Sequence, residues 1–376
     1  MRAFGAAGTD PLEALGFYGD SAGAPASENK PTKRKKAEKN IVTIFAVSAT
    51  HPKREAAPFD EGEAVRRAGF VPQQTLAYAV ECVGVGLHSG MNVTMTLHPA
   101  PVDHGIVFSR LDVEDEARDI PARFDRVVDT RLCTTIGNDA GVTVGTVEHL
   151  MAAFAGLGVD NARVELDGSE VPIMDGSSAP FVFLIECTGL AEQAAPRRVV
   201  RVLKDVSVAE GPAEASLAPA PYLSLDCEID YTKAQVARQA LTLHLVNGTF
   251  RKELARARTF GFLEDVEKLR SLGLARGGSL ENAVVLDAGR VLNQDGLRYE
   301  DEFVRHKALD ALGDLYLAGA MVIGAFRGVR SGHGANNRLL RALFADPTAW
   351  RIEDLTLAES EATERGFHRK PGLAAE

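Results

Sequence analysis

His306 and Asp310 stand four residues apart in a stretch, 303–320, that reads as one long helix. That spacing projects both side chains from one helix face. Glu148-His149 opens a second helical stretch and can offer a third donor nitrogen. Two His and one Asp form the ligand set of an open zinc site, with a fourth position left for water. Glu148, beside His149 and not itself a ligand, can deprotonate that water. His333, between Gly332 and Gly334 in what reads as a tight turn near a strand end, can protonate a leaving group. Such equipment suits a metal-assisted hydrolase.

Each segment taken singly has a blander reading. A His-x-x-x-Asp pair on a helix is most often a solvated polar face. His333 alone reads equally well as a surface histidine, and nine histidines in the chain make coincidence cheap. No His-Glu-x-x-His occurs, so the common zinc-protease signature is absent. Lys307 is a rival partner for Asp310, but the two are taken to point in different directions, which assigns Asp310 to the metal.

The chain has 376 residues, 45% hydrophobic and 25% charged, as expected of a globular protein of about two domains. A formal charge of -10 leaves no overall basic footprint for nucleic acid. It does not exclude a phosphate-bearing small ligand, for which one local Lys or Arg is enough. The four cysteines, Cys82, Cys133, Cys187 and Cys227, are scattered. They read as buried thiols of a reducing compartment. The longest apolar runs, 41–49 and 315–326, fall short of the ~20 residues a membrane span needs.

Residues 1–72 are rich in Ala, Gly, Pro and charge, with a basic run at 33–36. They read as a disordered extension. Ordered structure is expected from about Gln74, with a boundary near 194–198. The domains are therefore set at 73–196 and 197–346, followed by a C-terminal segment, 347–376. In the first half, 146–156 reads as a helix whose core face is Val147, Leu150, Met151, Phe154 and Ala155, leaving Glu148 and His149 off that stripe. Apolar helix 181–186 follows strand 161–166. In the second, 199–208, 222–229, 241–245, 283–286 and 322–326 read as strands. There 252–258, 262–272, 303–320 and 336–344 read as helices. The order of elements is similar in the two halves, without a sequence repeat. Gly84-Val85-Gly86-Leu87-His88-Ser89-Gly90 lacks the spacing of a dinucleotide loop and reads as a glycine-rich turn in which His88 faces a ligand. Asp160, Asn161 and Asp175 sit in turn and cap contexts and read as structural.

Further segments sharpen the picture: Gly86-Leu87-His88-Ser89-Gly90, Thr146-Val147-Glu148-His149-Leu150, Gly156-Leu157-Gly158-Val159-Asp160-Asn161 and Pro172-Ile173-Met174-Asp175-Gly176-Ser177. They continue with Ala257-Arg258-Thr259-Phe260-Gly261-Phe262, the run Tyr299 to Lys307, and Ser331-Gly332-His333-Gly334-Ala335-Asn336-Asn337. In this order, from about Gln74 to about Phe344, they resemble the zinc-dependent UDP-3-O-acyl-N-acetylglucosamine deacetylases of lipid A synthesis. The resemblance implies Zn2+ held by His149, His306 and Asp310, with Glu148 as general base and His333 as general acid oriented by Asp314. It implies Thr259 and Lys307 as the groups that polarise the amide carbonyl, and Phe260 and His88 as lining of the sugar-nucleotide site. Arg330 stands where the family often carries Lys; it keeps the charge and can grip a phosphate in a bidentate way.

The implied fold is α+β. Two similar domains each place a mostly antiparallel sheet on helices, and the helical layers face each other with the site between them. A βαβ insert in the second domain, 261–293, forms a passage for the acyl chain. The implied partner is an acylated UDP-amino-sugar, met by a monomeric cytoplasmic enzyme that works near the inner membrane without an anchor. Two rival readings stay open: a zinc amidohydrolase for another acylated amine, and a non-catalytic protein that binds the sugar nucleotide.

Overall fold

The computed structural model describes residues 61–231, 236–246 and 248–368. The basic run 33–36 and the apolar run 41–49 lie outside them. The helices are α1 (Glu61–Arg67), α2 (Glu148–Leu157), α3 (Ala179–Thr188), α4 (Leu263–Ser271), α5 (Glu302–Tyr316), α6 (His333–Ala345) and α7 (Leu357–His368).

Two five-stranded sheets share one topology. Across the first, the order is Val80–Val85, Asn92–Pro99, Ala162–Leu166, Ile106–Arg110 and Asp119–Pro121. Across the second, it is Val206–Glu210, Ala213–Ala218, Ala325–Val329, Ser224–Tyr231 and Val236–His244. In each, the strand latest in the chain inserts between two antiparallel pairs and runs parallel to one neighbour. The strands alternate as half-buried strands must. Val93, Met95 and Leu97 face inward in the first sheet, and Leu225, Cys227 and Ile229 in the second. A helix precedes each inserted strand, α2 in one half and α5 in the other; α3 and α6 follow them. The expectation of two similar α+β halves holds.

Helices α2 and α5 pack directly on each other. Gly313 permits this: a Cβ there would collide with the Glu148 carbonyl group. A glycine inside a helix costs about 1 kcal/mol relative to alanine, and here it lets the two backbones touch. The same packing corrects the reading of α2. Glu148 and His149 lie off the apolar stripe but are buried, because α5 covers the face that the stripe leaves free. An amphipathic pattern identifies the face turned to the sheet; it does not reveal that a second helix caps the other.

Other expectations shift. Stretch 322–326 is not one strand: it breaks at Gly324 into Met321–Ile323, in a separate three-stranded sheet, and Ala325–Val329. Stretch 252–258 is not a charged α-helix. A single π-helical turn, Phe250–Leu254, occupies part of it, and Arg258 turns inward to fully buried Glu302 with its Nε 2.8 Å from a carboxylate oxygen. His333 is the first residue of α6 rather than part of a free turn. Order begins earlier than Gln74, since α1 lies within the stretch assigned to the extension and packs on the strand Leu190–Pro196. Beyond residue 346 the chain adds the strand Trp350–Asp354 and α7. All four cysteines are free, but only Cys82 and Cys227 are buried, while Cys187 is exposed.

Within 261–293, Phe260–Phe262 runs parallel to Val284–Asp287 with α4 between them, a βαβ unit closed by Arg290–Val291.

Candidate metal centre and active site

The first turn of α2 and one face of α5 meet at the seam between the halves. Nε2 of His149 and Nε2 of His306 lie 3.5 and 3.3 Å from Oδ1 of Asp310. The three donor atoms fall within 4.8 Å of one another, and all three residues are buried. The Ala257 carbonyl, 3.1 Å away, accepts from Nδ1 of His306, so the proton sits there and Nε2 presents its lone pair. Burial, with His149 and Lys307 adding to it against Asp310, pushes the His306 imidazole down to about 3, toward the neutral ligand form. Burial works against the charge of Asp310, but His306 and Lys307 outweigh it and hold the carboxyl well below the usual range.

Lys307 Nζ donates to Oδ2 of Asp310 at 2.7 Å. The expectation that these two diverge is therefore wrong, because an i,i+3 spacing puts them on adjoining parts of one helix face. The pairing occupies only one carboxylate oxygen. Oδ1 of Asp310 and Nδ1 of His149 are buried without a hydrogen-bond partner among the described residues. A buried carboxylate oxygen left bare costs several kcal/mol, on the order of the ~1–3 of a neutral group or more. A cation among the three donors removes that cost, and a set of two imidazoles and a carboxylate fits a tetrahedral divalent ion.

Glu148 and His333 flank the ligands, with Oε1 and Nε2 3.7 Å apart. Burial raises the Glu148 carboxyl above its ordinary value against the pull of His333 and His149. For His333, burial opposes the cation, but Asp314 and then Glu148 outweigh it and raise the imidazole to about 9. Nδ1 of His333 donates to Oδ2 of Asp314 at 2.9 Å, which turns Nε2 toward the cavity. That cavity, of about 130 Å³, is lined by the ligands, Glu148 and His333 together with Thr259, Phe260, Lys307 and Arg330.

With this geometry in view, similarity to known proteins is decisive. Residues 73–345 match the family model described as LpxC, UDP-3-O-acyl N-acetylglycosamine deacetylase. The chain belongs to this family. It is 52% identical over 295 residues to the UDP-3-O-acyl-N-acetylglucosamine deacetylase of Myxococcus xanthus, which covers 78% of this chain and 93% of that one. It is 51% identical over 307 residues to the deacetylase of the same name from Chromohalobacter salexigens, 81% of this chain and 100% of that one. A Shewanella frigidimarina relative, again of that name, is 50% identical over 282 residues, 74% of this chain and 92% of that one.

The structure departs from sequence expectation at His88. Its ring nitrogens are buried without partners, yet the cavity is lined by Leu87 and not by His88. The Glu170 carboxylate accepts the His88 backbone N–H at 2.9 Å and holds the glycine loop down. Arg330 reaches the cavity with its guanidinium paired to Asp230 at 2.6 Å. Sequence reasoning missed three groups. Thr134 bonds both Glu148 and Asp314, at 3.1 and 2.6 Å. Asn336 donates to Asp314 at 2.8 Å. Cys133 lines the cavity with its thiol pushed up to about 12 by burial and by Glu148. Thr134 and Cys133 sit in an irregular loop with no periodicity to read. Asn336 was quoted only as part of a motif, although its place three residues after His333 puts it near the same face of α6.

Proposed function

We propose that this chain hydrolyses the N-acetyl group of an acylated UDP-N-acetylglucosamine, leaving a 2-amino sugar nucleotide and acetate, with Zn2+ at His149, His306 and Asp310. The observation that carries this reading is the bare Oδ1 of Asp310 facing two imidazoles, with a buried carboxylate and a buried imidazole on either side. Family membership supplies the substrate class. Zinc, when bound, supplies Lewis acidity toward the reacting oxygens.

The chain's own residues do the rest. Glu148 takes the proton from the attacking water. Its raised carboxyl is a stronger base than a solvated glutamate. His333, kept cationic by Asp314, gives its Nε2 proton to the departing amine. Thr259 and Lys307 meet the charge that builds on the carbonyl oxygen, where buried donors are worth most. Phe260 stacks edge-on against Phe303 and Tyr231 and offers an apolar wall. In this reading Arg330 contacts a phosphate of the substrate, and the βαβ unit of 260–291 guides the acyl chain.

Domains at 73–196 and 197–346 suit the repeated sheet topology. Among the described residues no helix is long and apolar enough to cross a membrane. As part of the same proposal, the chain works as a monomer in the cytoplasm beside the inner membrane, where an acylated substrate is at hand.

The test is acetate release from UDP-3-O-(3-hydroxyacyl)-N-acetylglucosamine by purified protein, before and after chelation and with zinc restored. Activity lost on chelation and recovered with zinc is expected. No release from a folded, zinc-loaded sample refutes the proposal, and release from simple N-acetyl sugars at the same rate points to a broader amidase.

A further inference from the structure

Among the described residues, Thr134 is the one outside α5 and α6 that bonds the partner of His333, and it bonds the candidate base as well. Its backbone N–H donates to Oε2 of Glu148 at 3.1 Å. Its hydroxyl donates to Oδ1 of Asp314 at 2.6 Å. Thr134 is 1% exposed, so neither bond is open to bulk water. The opposite oxygen of Asp314 accepts from Nδ1 of His333 at 2.9 Å and from Nδ2 of Asn336 at 2.8 Å. Glu148 and His333 face each other at 3.7 Å. Three hydrogen bonds, Glu148 to Thr134, Thr134 to Asp314 and Asp314 to His333, together with the 3.7 Å contact of His333 with Glu148, therefore close a ring. Asp314 and His333 come from the second half of the chain, Glu148 and Thr134 from the first.

We propose that Thr134 is a positioning residue for the hydrolysis, fixing the general base of one half against the acid pair of the other. The inference rests on the roles given above to Glu148 and His333. Each of its two bonds does separate work. The backbone bond limits Glu148 to one carboxylate oxygen, leaving Oε1 for the reacting proton. The hydroxyl bond stops Asp314 from rotating, and so keeps His333 aimed at the cavity with its proton on Nδ1 as well as Nε2. A hydroxyl that donates to a carboxylate favours its charged form, which is the form that holds the imidazolium. Side chains one step removed from the reaction act in this way when they lock the rotamer and protonation of those that touch it.

Thr134→Val separates the two bonds, because it keeps the shape and the backbone N–H and removes only the donor to Asp314. Thr134→Ser restores that donor. In T134V, kcat is expected to fall about tenfold to a hundredfold, the range for one hydrogen bond to a charged group, with KM within about twofold. Metal content stays as in the parent, T134V melts lower because Oδ1 of Asp314 loses its donor, and T134S recovers most of the rate and of the melting profile. The Nδ1 proton of His333, followed by NMR in protein with 15N-labelled histidine, should shift in T134V and return in T134S. Parent-like kcat in T134V overturns the inference. So does equal loss in T134V and T134S, or a T134V protein that unfolds or drops its metal, since Thr134 would then serve the fold alone. Glu148→Ala run alongside separates this from the reading beneath it: if E148A retains full turnover, the catalytic roles themselves are wrong, whatever T134V does.

Discussion

Asn161 and Asp310 are buried alike, at 1% and 3% exposure, and end in opposite states. Asn161 lies in a structural seam. Its Oδ1 accepts from the Gly105 N–H, and its Nδ2 donates to Gln73 and Gln193, each at 2.8 Å. Gln73 and Gln193 pass the network on to Asp103, Pro196 and Ala100. No side-chain atom of that amide cluster is left bare among the described residues. At the metal centre, Oδ1 of Asp310, 3.5 and 3.3 Å from Nε2 of His149 and of His306, has no hydrogen-bond partner. The contrast teaches how to tell two kinds of buried polarity apart. A network that serves stability is closed, because each open group costs free energy. One that serves chemistry keeps an opening for what it binds.

The comparison can be broken at its open end first. Asp310→Ala or His306→Ala should empty the centre of metal and lower turnover by on the order of a thousandfold or more. Metal analysis beside the acetate assay checks this, and a metal-loaded, active D310A would erase the distinction. Glu148→Ala should keep its metal and lose about 10²–10⁴ in kcat, as expected for a missing general base. Metal lost together with activity would move Glu148 into the ligand set.

The next step sharpens the contrast through pH. His333 is raised to about 9, so it is protonated below that value and the rate should fall as pH rises through it. His333→Ala should remove that limb and lower kcat by about a hundredfold at neutral pH with metal intact. An unchanged alkaline limb in H333A would assign it to another group. The same shift contributes to stability. Its folded pKa lies above the unfolded value of 6.5, so the contribution is full below 6.5 and is lost as pH climbs through about 9. Melting scans across that window, with H333A as reference, read it directly.

The smallest effect on activity belongs to the closed end. Asn161→Ala should lower stability by about 1–3 kcal/mol through its orphaned neighbours, with metal content and kcat of the folded protein unchanged. A rate loss as large as that of H333A would mean that the seam and the site are coupled.

Much of the site was legible in residue order. The i, i+4 spacing placed His306 and Asp310 on one helix face, and short-range geometry alone decides that. Helix α2, which carries His149, was found by its apolar period. Less local features escaped. Thr134 lies in a loop with no period, and its meeting with Asp314 spans 180 residues of chain. His88 was expected in the cavity, but the pull of Glu170 on its loop is likewise a distant contact. The i,i+3 pair of Lys307 and Asp310 was open to inspection and was misjudged.

By itself, the amino-acid sequence determined the helix faces, the strand alternation and the kinds of donor available, because these depend on backbone periods and side-chain chemistry. Only the tertiary structure decided that α5 caps the polar turn of α2, with Gly313 allowing the close approach. It alone left one oxygen of Asp310 bonded and the other bare. Burial and partner choice are properties of surfaces brought together, and no window of neighbouring residues contains them.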